Sequence, residues 1–191
     1  MNTHINSVIT GTGSYIPQRR IDNEAFLTAE FHDSSGVKLD KSNREIIDKF
    51  LEITTISERR YAKKSTMTSH MATWAAEQAI EASGIDKETL DYIIVAHNFG
   101  DLHSGETHTD MVPSIAARVK HRLQIKNPET VAYDMIFGCP GWLESLIQAN
   151  YYIRSGDARR VLVIGAETLS RIYDPHDRDG MIYADGAGAV I

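Results

Sequence analysis

The chain has 191 residues, 42% hydrophobic and 24% charged, with a formal net charge of -6. These proportions fit a folded domain with a sizeable core, and the acidic balance argues against nucleic acid as the main partner. No apolar run is long enough to span a membrane, Met1-Asn2-Thr3-His4 does not start a signal-peptide pattern, and a single cysteine cannot form an internal disulfide, so a cytoplasmic setting is the simplest expectation.

In chain order, the β-branched run from Ile5 to Thr10 reads as a strand entering a glycine turn, Gly11-Thr12-Gly13-Ser14-Tyr15-Ile16-Pro17. It is not a dinucleotide fingerprint, because Ile16 holds the third glycine position and no helix follows directly. Asp22-Asn23 can cap a short helix through Phe26 and Leu27, Phe31 to Lys41 is loop-like, and Arg44 to Glu52 reads as a second helix. The basic stretch Glu58-Arg59-Arg60-Tyr61-Ala62-Lys63-Lys64 is either a solvated surface, the plainer expectation, or a docking patch for an acidic or phosphate-bearing carrier. A clear helix follows, with Met71, Trp74, Ala75, Gln78, Ala79 and Ala82 expected on its buried face and Gly84 as its stop.

Asp91 to His97 is an apolar strand. Beyond it His97, His103 and His108 share fourteen residues with three carboxylates, metal-ligand types in a spacing that matches no standard zinc pattern. A polar surface loop is the expectation there, with no metal. Pro113 opens a helix burying Ile115, Ala116, Val119 and Leu123. Val131 to Phe137 then reads as a buried strand that turns at Gly138 and runs past Cys139 and Pro140 into a helix. Leu143, Leu146, Ile147, Asn150 and Tyr151 are its expected buried face. A thiol at a helix start can be stabilised as thiolate by the unpaired N–H groups there, so Cys139 is a candidate nucleophile in a turn similar to a nucleophile elbow. A small buried hydrophobe is the competing reading.

Arg160 to Glu167 is another strand buried on both faces, and strands alternating with helices imply an α/β fold with a mostly parallel sheet. The last residues, Ala184 to Ile191, stop inside an apolar strand. An exposed hydrophobic edge is expected there, and the chain reads as truncated.

Several segments in fixed order carry a resemblance. They are Gly11 to Pro17, Ile56-Ser57-Glu58-Arg59-Arg60, Val112-Pro113-Ser114, the turn at Cys139, Arg154-Ser155-Gly156, Leu169-Ser170-Arg171, Asp177-Arg178 and Asp185-Gly186-Ala187-Gly188-Ala189. Together they resemble the N-terminal half of the ketoacyl-acyl-carrier-protein synthase III family, in the thiolase-like superfamily. The resemblance implies a thiolase-like fold of αβαβα layers, of which residues 1–191 would form the first half. It also implies a cysteine, matched by Cys139, that takes an acyl group from a thioester before decarboxylative condensation with malonyl-acyl-carrier protein. No cofactor is implied beyond the acyl-CoA or acyl-carrier-protein substrates.

The implied partners are the C-terminal half of the fold, acyl carrier protein and a second copy in a homodimer. Arg178 matches an arginine that contacts the nucleotide end of coenzyme A. Met111 and Val112 match a segment reaching the neighbouring subunit's acyl pocket, and Leu169 and Tyr183 fall where acyl-pocket walls are built. The family's histidine and asparagine lie in the other half, so no base is assigned and the chain alone is expected to be inactive in condensation. Lys49 and Ile53 stand where the family commonly has an adenine-sandwiching tryptophan and arginine, which opens the question of coenzyme A against carrier protein as donor. An acyltransferase or hydroxymethylglutaryl-CoA-synthase-like enzyme on the same fold, and a non-catalytic dimerising partner, are the alternative readings.

Overall fold

The computed structural model describes residues 6–106 and 108–191. Its strands are β1 (Thr12–Tyr15), β2 (Arg19–Asp22), β3 (Glu58–Tyr61), β4 (Tyr92–Ala96), β5 (Asp101–Leu102), β6 (Thr109–Asp110), β7 (Val131–Met135), β8 (Val161–Thr168) and β9 (Asp185–Val190). Its α-helices are α1 (Asn43–Thr54), α2 (Thr68–Ser83), α3 (Ile115–Arg122) and α4 (Gly141–Ser155). The central sheet has the order β1-β9-β8-β4-β7, with β8, β4 and β7 parallel and β1 and β9 antiparallel to their neighbours. The α/β class therefore holds, on a mixed sheet.

Residue alternation along the strands assigns the two faces. Ile93, Val95, Leu162, Ile164 and Ala189 pack against α2 and α3, while Ile94, Val161 and Val163 pack against α4. The wholly buried isoleucines Ile93 and Ile164 each contribute roughly 1.5–3 kcal/mol by burial.

Several expectations about elements are corrected by the structure. The first strand lies over Thr12–Tyr15, inside the segment read as a turn, and residues 6–10 form no strand. Residues Met1 to Ile5 lie outside the described residues. Gly11 and Gly13 serve close approach: a Cβ on Gly13 would lie 2.1 Å from the Ala75 carbonyl oxygen of α2. The buried face of α2 is its alanine stripe, Ala72, Ala75, Ala76 and Ala79, together with Met71, which lets the helix sit that near. Trp74, Gln78 and Ala82 lie outward. Trp74 packs on Tyr15, 4.5 Å between ring centroids, and Gln78 accepts the Ser14 N–H.

The apolar run after Thr130 forms an edge strand, not a fully buried one. It ends at Met135, and Ile136 and Phe137 are exposed. The residues near the end of the chain, in contrast, form no exposed edge. Strand β9 lies inside the sheet between β1 and β8, and Ala189 and Val190 are buried.

The face of α4 also differs. Gly141, Ser145 and Ala149 are the residues that meet the sheet, whereas Leu143 and Tyr151 are 56% and 62% exposed. Small residues bring the helix backbone onto the strands, Leu146 packs against the same cluster as expected, and Leu143, Ile147 and Tyr151 are left pointing outward.

The basic stretch is not a free docking patch. Its first part, Glu58–Tyr61, forms β3, paired with β2, where Arg20 and Arg60 both ion-pair with Glu58, and only Lys63 and Lys64 beyond the strand stay exposed. Arg59 is buried against the Phe26 and Phe50 rings and donates to Asn23.

Candidate active site

Ala96, the last residue of β4, pairs with Gly165 of β8, which runs on to Thr168, so the segment after β4 and the end of β8 meet the start of α4. Gly138 has φ +68°, a left-handed conformation that suits glycine, and the Gly141 N–H closes the turn on the Gly138 carbonyl at 3.0 Å. Cys139 sits inside this turn, one residue before the Pro140 cap of α4. Cys139 is exposed in this chain.

The turn opens onto a cleft of about 330 Å³ lined by Cys139, Trp142, Leu169, Asn98 and Glu167 among smaller residues. Gly165 makes room for the indole on one wall: a Cβ there would meet Trp142 Cδ1 at 3.2 Å. Glu167 also lines the cleft. Its Oε2 accepts the backbone N–H and the side-chain amide of Asn98, both at 2.8 Å, and its Oε1 is buried without a partner among the described residues. Burial raises the Glu167 pKa, opposed by the Asn98 hydrogen bonds.

The loop after β4 is more ordered than expected. His97 is buried, and its Nδ1 accepts the Gly100 N–H at 3.0 Å. Its Nε2 therefore carries the proton and donates to Asp134 at 2.8 Å. Asp101 is buried too, accepting from Ser69 and Arg118, and β5 pairs with β6 as a short ribbon. Thr107 lies outside the described residues.

The three loop histidines do not gather into a ligand set among the described residues. Glu30, His32 and His176 do bring potential ligand atoms within 4.8 Å of one another. The His32 and His176 rings stack at 4.4 Å and 6°, so their in-plane lone pairs run parallel instead of converging on one ion. Glu30 is meanwhile engaged by His32 and Lys38.

Of the residues singled out from sequence, Cys139 and Leu169 share the cleft. Tyr183 does not line it, although its neighbour Ala184 does. Arg178 is exposed in a separate groove of about 510 Å³ with Lys49, Ile53 and Lys41, over a floor containing Phe50 and Met181. Met111 and Val112 stand apart on the loop before α3, with Val112 87% exposed. Asn98 and Glu167 were missed. The only signal was a carboxylate near the end of an otherwise apolar strand.

The model of the family described as 3-oxoacyl-[acyl-carrier-protein (ACP)] synthase III matches residues 133–191. The beta-ketoacyl-[acyl-carrier-protein] synthase III of Neisseria meningitidis is 39% identical over 184 residues, covering 96% of this chain and 51% of that protein. The chain belongs to the 3-oxoacyl-acyl-carrier-protein synthase III family. It corresponds to the N-terminal half of these synthases and spans about half the length of the curated relatives it matches. Solved structures agree. The synthase III of Thermus thermophilus superposes with TM-score 0.74 at 33% identity, covering 96% of this chain and 50% of that one. That of Aquifex aeolicus superposes with TM-score 0.73 at 35% identity, over 95% and 52%. The thiolase-like fold expected from sequence is therefore the fold of this chain, as its first half.

Proposed function

We propose that Cys139 accepts an acyl group from a thioester and that this chain supplies the first half of the active site of a condensing enzyme. The observation that carries this reading is an exposed thiol in the turn leading into α4, facing a cleft, in a chain of the synthase III family. In the first step the Cys139 thiolate attacks the donor carbonyl carbon. The new C–S bond forms, and the donor thiolate leaves and takes up a proton. One thioester replaces another, so the step is nearly isoenergetic and needs mainly an activated nucleophile. On this reading the Cys139 N–H is one donor to the developing oxyanion.

In the second step a malonyl group on acyl carrier protein loses carbon dioxide and its carbanion attacks the acyl carbon. A C–C bond forms and Cys139 departs as thiolate, leaving a 3-oxoacyl thioester. His97 is not the base on this reading, since both its nitrogens are engaged. A histidine and an asparagine from the C-terminal half take that work, and the chain alone is inactive in condensation.

The outward apolar stripe of α4, with Leu143, Ile147 and Tyr151, is where that half packs. Arg178 binds the nucleotide or phosphate end of the donor, Leu169 and Tyr183 bound the acyl group, and Met111 and Val112 reach the pocket of a second copy in a homodimer. The small Val112 side chain leaves space for a longer or branched acyl chain. No cofactor enters beyond the thioester substrates. Among the described residues no helix is long and apolar enough to cross a membrane, and we place the reaction in the cytoplasm.

The test is to offer the full chain a radiolabelled acyl group on coenzyme A and, separately, on acyl carrier protein. Label should stay on the denatured protein and vanish in Cys139→Ala. Absence of label with both donors, or label that survives the substitution, overturns the proposal.

A further inference from the structure

Glu167 is the group in the cleft that the proposed chemistry does not use. Alternation along β8 puts Val161, Val163, Gly165 and Glu167 on one face, the face that carries α4, so the carboxyl belongs to the same compartment as Cys139. The rest of the lining is mostly small or apolar. His97 also borders the cleft, but its nitrogens are committed to Asp134 and Gly100.

One carboxyl oxygen, Oε2, takes both Asn98 donors, the backbone N–H and the side-chain N–H. Two donors on one acceptor fix the Asn98 amide, with its nitrogen toward Glu167 and its carbonyl oxygen Oδ1 turned away from it. The other carboxyl oxygen is left buried and unpartnered among the described residues, an arrangement that costs stability. What the fold gains is an immobilised amide on the wall of an otherwise apolar cleft, and raising the Glu167 pKa by burial does not weaken its hold, because the neutral carboxyl still accepts through Oε2.

We propose that Asn98, positioned by Glu167, is a specificity-determining residue of the cleft: it favours acyl groups with a hydroxyl or carbonyl oxygen near the thioester over plain hydrocarbon chains of equal length. The inference rests on Cys139 as the acyl acceptor. Its physical basis is that a polar group held in an apolar cleft is left unpaired by a plain chain and is satisfied by a substituted one, a difference that discriminates far better than an added methylene.

The experiment compares 3-hydroxybutanoyl-CoA with butanoyl-CoA by the rate of mass increase at Cys139 in the full chain. Native protein should favour the hydroxylated group by roughly tenfold or more. Glu167→Gln keeps an acceptor for both Asn98 donors and should keep the ratio. Glu167→Leu and Asn98→Leu should bring it close to one. Because the readout is a ratio within one sample, partial misfolding of a variant does not imitate the result. Equal rates in native protein, or an unchanged ratio in Glu167→Leu, sink the inference and leave the Cys139 reading standing. Failure of both acyl groups to modify Cys139, offered on coenzyme A and on acyl carrier protein alike, overturns that reading, and the inference with it.

Discussion

His97 and Asp134 form a buried pair that joins the end of β4 to the start of α3: His97 Nε2 donates to Asp134 Oδ2 at 2.8 Å. The same carboxylate accepts the Ile115 and Ala116 N–H groups at 2.7 and 2.8 Å, the first unpaired donors of α3. Its charge is thus matched by a helix N-terminus and by a neutral imidazole. Asp134→Asn should cost about 2–3 kcal/mol, because an amide cannot accept at both oxygens and its NH₂ would face a donor. Urea unfolding measures this, and a loss well under 1 kcal/mol would contradict the arrangement.

Gly13 and Gly188 both lie in the central sheet but predict opposite responses to alanine. A Cβ on Gly13 would fall 2.1 Å from the Ala75 oxygen, backbone that cannot move without lifting α2 off β1. Gly13→Ala should therefore cost roughly 1–3 kcal/mol or more. Gly188 has nothing within 4 Å of such an atom, and Gly188→Ala should be neutral or stabilise by roughly 0.4–1 kcal/mol through the unfolded chain. Melting temperatures of the pair check the contrast.

These cases show where the sequence was readable. Caps and stops are local, so Gly84 and Gly156 end their helices with left-handed φ, while α3 begins at Ile115, two residues after the Pro113 expected to open it. The turn at Cys139 was legible for the same reason, since glycine permits the left-handed backbone of a tight turn and proline fixes φ just before a helix. The faces of α2 and α4 were not. Periodicity finds an apolar stripe but cannot say what covers it, and alanine or serine can make the tighter contact with a sheet while leucine and tyrosine point away. Pairings remote in sequence were equally hidden: Asn98 and Glu167 are 69 positions apart, and neither is unusual by itself.

Arg171 offers a third prediction. Its guanidinium donates to the carbonyls of Lys63 at 2.8 Å, Thr66 at 2.5 Å and Leu102, tying the segment before α2 to β5. Its partners are neutral oxygens, and burial lowers its pKa. Arg171→Lys keeps the charge but offers three donors on a flexible stem where a planar fork had spanned three carbonyls. The loss should be about 2 kcal/mol or more, with faster hydrogen exchange across residues 63–66 and 101–102. Exchange unchanged in those segments would show that the fork does not hold them.

Glu167 makes stability depend on pH in a direction opposite to that of a salt-bridged carboxylate. Burial raises its pKa above the ordinary value of 4.5, so between that value and the folded-state pKa the native protein holds a proton that the unfolded chain has released. The native state binds more protons in this window, and the stability contributed by neutral Glu167 is complete below pH 4.5 and is lost as pH rises through the folded pKa. Each unit of upward shift corresponds to about 1.4 kcal/mol. Glu167→Gln removes the titration while keeping an acceptor for Asn98. Its stability relative to native protein should therefore improve from pH 4.5 to pH 8. Urea midpoints of both proteins at the two pH values decide the matter, and a difference that stays constant or moves the other way would mean that Glu167 is charged and well solvated in the folded cleft.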